Sequence, residues 1–560
     1  MLGFVLAAAL TVRLSFLMPG VWQQPWTPHH FDEHILPYEA LGLWEGVTPR
    51  EVGWPGSTVR VALSGVYAVR MLWDERGALA AAPDPEAALA RVSRWSGERV
   101  PDAARLFQLG RLVVAAFGIL QVVFIAQAAS RWLDRRTMTL AAAVAAVCPQ
   151  AVVLSQVVLA DIAGACFASL LLALLPRLWT ARSSALWLGV LAGLATASKL
   201  HFGVWLLLPV TACWMPEWQV SHRDRATATL MVLGGFCLTF LALVPWLWLN
   251  PVLALKELAG VALVKVGTGA GILGVVRHLG VLFGGLGWLS VALAVPGLLV
   301  FVRSRYGPQI AVAGIVLGTA LVLSASGMVF DRYGLVLLPG VTLLASAGLQ
   351  WILRRVPRLG TGTVAAIVLV MGLPQTVLAV HQISRRNPYH LAHAWMMAHL
   401  PDGASVVIYS EDNQYLPRTA AQLAECASYV WSEEAYQEKL ATNDIHGTGT
   451  AGLPMRLALL NDEFFHAFWC SRERLAMRSP AFRVYRFHAD KRFQTLRIDA
   501  VRAEFLAGLD DRSRGFDVVL AHWPMFPEIE PAVTFSADVP PILRLYLRPG
   551  VHLRNLPDQP

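Results

Sequence analysis

Two adjacent carboxylates, Asp32 and Glu33, stand in the segment HFDEHILPYEALGLWEG, directly after an apolar run at residues 2–19. One such acid can take a proton while its neighbour holds a hydroxyl or a cation. An Asp-Glu pair in a solvated loop is common by itself. This one gains weight from the ionisable residues that recur at the ends of later apolar runs. Arg111 opens GRLVVAAFGILQVVFIAQ, Asp161 lies in VVLADIAGACF, Lys199 in TASKLHF, and Arg332 with Tyr333 in FDRYGLVLLPG. Ionisable groups at membrane depth are costly and are functional candidates by default.

The residue types suggest different tasks. Arginine's planar fork suits a phosphate, although Arg111 could also snorkel to lipid headgroups. Asp161 has too short a stem to snorkel, so it is expected to pair with an intramembrane base. Lys199 and Arg332 could each touch headgroups. Together with Arg111 they form a cation cluster able to hold a phosphate against the bilayer. His29, His30 and His34 flank the acidic pair and, with Asp32, offer nitrogen and oxygen ligands for a divalent metal. Such histidines more often serve as interfacial hydrogen-bonding groups, and the chemistry considered below requires no metal. Arg13, inside the first apolar run, is assigned no chemistry; snorkelling or pairing with an acid would explain it.

The elements that must position these residues are membrane helices. The chain has 560 residues, 56% of them hydrophobic, and a mean hydropathy of +0.51. That is too apolar for an ordinary soluble enzyme. Bilayer-length runs fall at about 2–19, 110–129, 137–156, 160–176, 226–248, 279–302, 308–327, 333–352 and 361–381. The run at 185–216 is too long for one span of about 20 residues, and Lys199 and His201 divide it into two. The expected total is about eleven spans.

Arginine sets the orientation. With the first residues inside, the cytoplasmic loops hold Arg131, Arg135, Arg136, Arg177, Arg182, Arg223, Arg225, Arg303, Arg305, Arg354, Arg355 and Arg358. The short outer loops hold only Lys256, Lys265 and Arg277 besides the site candidates. By the positive-inside rule the candidates then share the outer face. The same loops account for the net charge of +8 better than a nucleic-acid groove does. Within the long first outer loop, 20–109, the stretch STVRVALSGVYAVRMLW is interrupted by Arg60 and Arg70. It reads as a helix lying along the interface. The N-terminal run lacks a basic leader and a small-residue cleavage site, and reads as a retained span.

Residues 1–384 are therefore expected to form the membrane domain, and 385–560 an extracytoplasmic α/β domain. HLAHAWMMAHLPDGASVVIYSED reads as helix, turn and strand; DAVRAEFLAGLDDRSR reads as a helix and FDVVLAHW as a strand. Cys426 and Cys470 are the cysteines outside the apolar runs and could form a disulfide if that domain is exported.

In order and spacing these motifs resemble the C-type (GT-C) glycosyltransferases, in the branch of the protein O-mannosyltransferases and lipid A aminoarabinose transferases. The matching features are Asp32-Glu33 after the first span, GVTPREVGWPGS before the interfacial helix, and Arg111 opening the second span. Asp161 opens the fourth; ATASKLHFGVWLLLP, PWLWLNP and DRYGLVLLPG follow, and HAWMMAHLPDGASVVIYSED starts the tail. Leu200 after the lysine and His34-Ile35 after the acids depart from the usual pattern, which bears on substrate more than on class. The resemblance implies a polyprenyl-phosphate-linked sugar as donor and inverting transfer to a hydroxyl acceptor in a bacterial inner membrane. It implies Asp32 as general base, with Glu33 as second choice, and Arg111, Lys199, Arg332 and Tyr333 around the donor phosphate. Asp161 would orient a cation or the sugar. The competing readings are a carrier or flippase for a lipid-linked sugar and an accessory protein that binds a partner through its tail. A carrier's site is expected at the midplane with an inverted repeat, and neither is seen. An accessory role leaves the intramembrane charges without a task.

Overall fold

The computed structural model describes residues 1–17, 56–84, 103–249, 272–326, 331–356 and 358–385 almost without a break. It also describes single positions such as Glu33 and Leu36, the segment 388–409, and five further strands towards the C-terminus. The apolar runs become helices α1 (Leu2–Arg13), α2 (Ser57–Ala80), α3 (Ala103–Trp132), α4 (Thr137–Ala146), α5 (Pro149–Val153) and α6 (Asp161–Leu174). They continue as α7 (Ser184–Ser198), α8 (Leu207–Ala212), α9 (His222–Leu243), α10 (Ile272–Leu286), α11 (Trp288–Arg303), α12 (Gly307–Ser324), α13 (Leu338–Arg355) and α14 (Thr361–Arg385). The protein is a multi-pass, mainly helical membrane protein.

Among the described residues, five helices are long and apolar enough to cross a bilayer: Phe107–Trp132, Asp161–Trp179, His222–Leu243, Gly307–Ser324 and Thr361–Gln382. The remaining expected runs are divided into shorter pieces. The run at 185–216 breaks where Lys199 takes an extended conformation (φ −160°, ψ 130°), followed by a 3-10 segment, Leu200–Leu206. The run at 279–302, expected as one straight span, is instead a pair. The helices α10 and α11 meet at Gly287 with a bend of 104°. Gly287 has φ +88°, a conformation open to glycine at no steric cost, and a Cβ there would press on Pro149. Close crossings hold the bundle together. A Cβ on Gly297 would overlap the Leu344 carbonyl oxygen, and one on Gly348 the Leu293 carbonyl oxygen, so α11 and α13 pack backbone to backbone.

The helix α2 is not among those apolar enough to span. It buries Val59, Leu63, Tyr67 and Met71, one residue per turn, against the bundle, and exposes Val61, Val69, Leu72 and Trp73 on another face. Arg70 pairs with Asp74 one turn on, at 2.8 Å, and Arg76 lies 4.3 Å from the Trp73 ring centre. An apolar outer face edged by charge suits a helix resting in the headgroup region.

Towards the C-terminus, α15 (Pro388–His399) leads through a turn at Gly403 (φ +79°) into β1 (Ser405–Tyr409). With β2 (Arg483–His488), β3 (Leu496–Arg497), β4 (Val518–Ala521), β5 (Val533–Phe535) and β6 (Leu543–Leu547) it forms a sheet ordered β3-β2-β1-β4-β6-β5. The first four strands of that order run parallel, while β6 is antiparallel to β4 and β5. Val406 stands opposite Val484 on one side and Val518 on the other, as apolar central strands require. The helix, turn and two strands expected from the sequence are all present. The helix expected at 499–514 and the Cys426–Cys470 pairing lie outside the described residues.

Orientation gives a direct prediction. A reporter fused after residue 384 should be extracytoplasmic and one fused at residue 305 cytoplasmic, from the arginine asymmetry. Protease protection or phosphatase fusions would read this. A cytoplasmic tail would mean that α2 crosses the membrane.

Candidate active site

Two buried ion pairs flank one short strip of backbone. Glu33 is fully buried and accepts a fork of hydrogen bonds from Arg111 on α3: Nε to Oε1 at 2.8 Å and Nη2 to Oε2 at 3.1 Å. The Val158 N–H donates to the same Oε1 at 3.0 Å. The bidentate geometry is the strong form of this contact. Phe107, one turn before Arg111, lies 5.9 Å from its guanidinium. Tyr67 of α2 is also buried, and burial followed by the Glu33 charge pushes its phenol well above the usual range. The phenol is therefore neutral.

Three residues beyond Val158, Asp161 begins α6. Its Oδ2 accepts from Lys199 Nζ at 2.8 Å, and both side chains are buried. Lys199 reaches it because α7 ends there and the backbone turns extended. The break is held from α2, where Gly56 N–H donates to the Ser198 carbonyl at 3.2 Å and Thr58 Oγ1 meets Ser198 Oγ at 2.5 Å. Phe202 packs where Gly164 of α6 leaves no room for a Cβ, and the His201 ring stacks on it with centroids 5.0 Å apart. Lys199 and Arg332 lie close enough for their charges to act on Asp161. Arg332 is buried in the 3-10 segment Asp331–Val336, and Tyr333 beside it lies 6.0 Å from Lys199 Nζ and 5.5 Å from the His201 ring. Among the described residues, the second oxygen of Asp161, Oδ1, is buried and has no hydrogen-bond partner. It can still accept a hydroxyl.

The structure thus brings Asp161, Lys199, Arg332 and Tyr333 together, as one cluster around a carboxylate. It ties Arg111 to Glu33. Two of the Arg111 guanidinium nitrogens bind that acid. Both oxygens of Glu33 accept hydrogen bonds from Arg111. Asp32, His29, His30 and His34 lie outside the described residues. Among the described residues no three His, Cys, Asp or Glu side chains gather as metal ligands. The sequence reading gives three contributors no role in the site. His201 enters that reading only as part of the break after Lys199. Tyr67 and the Val158 N–H carry no sequence signal.

No protein-family model and no curated protein matches the sequence. Solved structures do resemble its fold. ArnT from Cupriavidus metallidurans, bound to undecaprenyl phosphate, is 15% identical over 73% of this chain and 82% of its own, with a TM-score of 0.49. The archaeal oligosaccharyltransferase AglB from Archaeoglobus fulgidus, in complex with an inhibitory peptide and a dolichol-phosphate, is 13% identical over 79% of this chain and 68% of its own, with a TM-score of 0.46. Both are GT-C glycosyltransferases, the class that the sequence motifs resemble. At these scores the likeness concerns the course of the chain, and what the site does rests on its own residues.

Proposed function

We propose that the protein is a membrane glycosyltransferase that moves a sugar from a polyprenyl-phosphate donor to a hydroxyl acceptor at the extracytoplasmic face. The observation that carries this is the buried Asp161–Lys199 pair ringed by Arg332, His201 and Tyr333. A carboxylate with one open acceptor oxygen beside Lys199 and Arg332 can hold a sugar hydroxyl and a phosphate side by side. The donor class comes from the motif resemblance; residues 1–384 carry the reaction and 385–560 form the exported domain.

The chemistry then runs in one displacement. The acceptor oxygen attacks the anomeric carbon from the face opposite the phosphate, and Asp32 takes its proton. The bond from that carbon to the phosphate oxygen breaks, the electron pair leaves with the phosphate, and the configuration inverts. Lys199 and Arg332 hold the departing phosphate with Tyr333 beside them, as prearranged electrostatic stabilisation. With its charge held, the phosphate needs no acid catalyst. Asp161 aligns Lys199 and offers Oδ1 to the sugar. Arg111 acts through Glu33, fixing the residue next to the base. No step is routed through a metal.

Incubation of purified protein with polyprenyl-phosphate sugars, scoring release of polyprenyl phosphate, tests this. Movement of the intact lipid-linked sugar across vesicles without release would make the protein a carrier. Within that assay, Lys199→Ala should weaken binding of polyprenyl phosphate by about 10-fold or more, the scale of a hydrogen bond to a charged group. The acceptor KM should change less. Unaltered phosphate binding would remove Lys199 from this role.

A further inference from the structure

Arg13 is a charged residue that the proposed chemistry leaves without a task, yet it is fully buried and closely held. Its Nη2 donates to the Ala145 carbonyl at 3.0 Å and its Nη1 to the Ala146 carbonyl at 3.3 Å. A third, longer contact runs from Nη1 to Ala9 in its own helix, at 3.4 Å. Ala145 and Ala146 close α4, where the last carbonyls have no partner within the helix and the dipole is negative. A guanidinium answers both needs. Thr376 of α14 satisfies the next carbonyl, Val147, at 2.7 Å.

Two residues beyond Arg13 the chain makes a second attachment. Ser15 Oγ donates to Gln156 Oε1 at 3.0 Å, and Gln156 Nε2 donates to the Val12 carbonyl at 2.9 Å. Gly118 of α3 allows the layers to close, since a Cβ there would overlap Ser155 Oγ and lie 3.1 Å from Arg13 Nε. The end of α1 is therefore fastened to both ends of the connector 147–157. That connector runs straight on to Val158, whose N–H binds Glu33, and to Asp161, which binds Lys199.

We propose that Arg13, Ser15 and Gln156 form a staple of positioning residues that sets the Asp161–Lys199 pair in place relative to the buried Glu33–Arg111 pair. This rests on the functional reading above for its catalytic consequence, and on geometry alone for its structural one. Both partners of the staple lead into the site. The chain leaving α1 leads in sequence to Glu33, and the connector leads to the strip that holds Glu33 and Asp161. None of the three residues needs to touch substrate.

The test uses the full-length protein in lipid nanodiscs with Arg13→Met, Arg13→Lys, Ser15→Ala and Gln156→Ala. Two readouts are taken: hydrogen exchange at the Val158 amide, and kcat beside the Kd for polyprenyl phosphate. Arg13→Met should speed Val158 exchange and lower kcat by about 10–100-fold, since small misplacements cost that much. Binding of polyprenyl phosphate should stay within about twofold, because the cations that hold it are untouched. Arg13→Lys should recover part of both losses by restoring a cation at the α4 terminus. If Arg13→Met does not fold, Ser15→Ala and Gln156→Ala each remove contacts without burying a charge. They should give the same split on a smaller scale, with a non-additive double variant. Unchanged Val158 exchange in the folded variants would overturn the staple. So would a fall of kcat and phosphate affinity in parallel. Faster Val158 exchange in the variants of a wild-type protein that transfers no sugar would uphold the staple and defeat the functional reading instead.

Discussion

Arg111→Ala is expected to destabilise the membrane domain by about 3–5 kcal/mol, the cost of stranding a buried charge by removing its partner. Glu33 is fully buried and takes two hydrogen bonds from the guanidinium, so the deletion leaves a carboxylate in the bundle without its cation, the Val158 N–H still donating to it at 3.0 Å. Arg111→Lys keeps a charge but cannot present two parallel donors, and should recover only part of the loss. The informative variant is the double change Glu33→Gln with Arg111→Met. It removes both charges, and a buried pair replaced as a unit is often neutral. Denaturant titration in mild detergent, following the tryptophan signal, would measure all three. A double variant as unstable as Arg111→Ala would mean that the packing around the site, and not the stranded charge, sets the cost. An exposed position for Arg111, at the headgroups, would instead give a change within about 1 kcal/mol.

The contrast between what was and was not legible follows from range. The break at Lys199 was legible because a cation interrupts a run too long for one span, and the helix does end there. That Asp161 must pair with a base was legible from its short stem in an apolar stretch. Which base was not, since nothing local links it to Lys199 at a separation of 38 residues. The Glu33–Arg111 contact spans 78 residues, and arginine at the head of a helix reads equally well as snorkelling or phosphate binding. The adjacency of Asp32 and Glu33 likewise invited one shared role. What the sequence does not show is that Glu33 is tied down, its oxygens taken by the Arg111 fork and the Val158 N–H. The bend at Gly287 was hidden for another reason. The run from 279 to 302 is apolar throughout, so hydropathy has no means of marking a backbone reversal inside it. In the tail, local signals sufficed. Pro401, Asp402 and Gly403 punctuate the helix and strand, and the β-branched residues at 406–408 and 518–519 pair in register.

Asp32→Asn is expected to lower sugar transfer by about 10²-fold or more while leaving polyprenyl phosphate bound, the size of a lost general base. The amide preserves the shape of the carboxylate but cannot take the acceptor's proton at neutral pH. The phosphate is held by other residues, Lys199 and Arg332, so donor affinity should survive. It should even rise slightly, because an anion near the phosphate has been neutralised. Transfer measured at saturating donor isolates the chemical step from binding. Glu33→Gln offers the matched control, since it alters the Arg111 fork rather than the base. It should affect stability first, and activity only as far as Asp32 is displaced. A carrier has no proton to abstract, so Asp32→Asn would leave its transport nearly intact. Full transfer by Asp32→Asn would reject Asp32 as the base. The role could not then simply pass to Glu33, whose two oxygens already accept hydrogen bonds from Arg111, and the proton would have to leave by way of Asp161, whose Oδ1 is the open carboxylate oxygen among the described residues of the cluster.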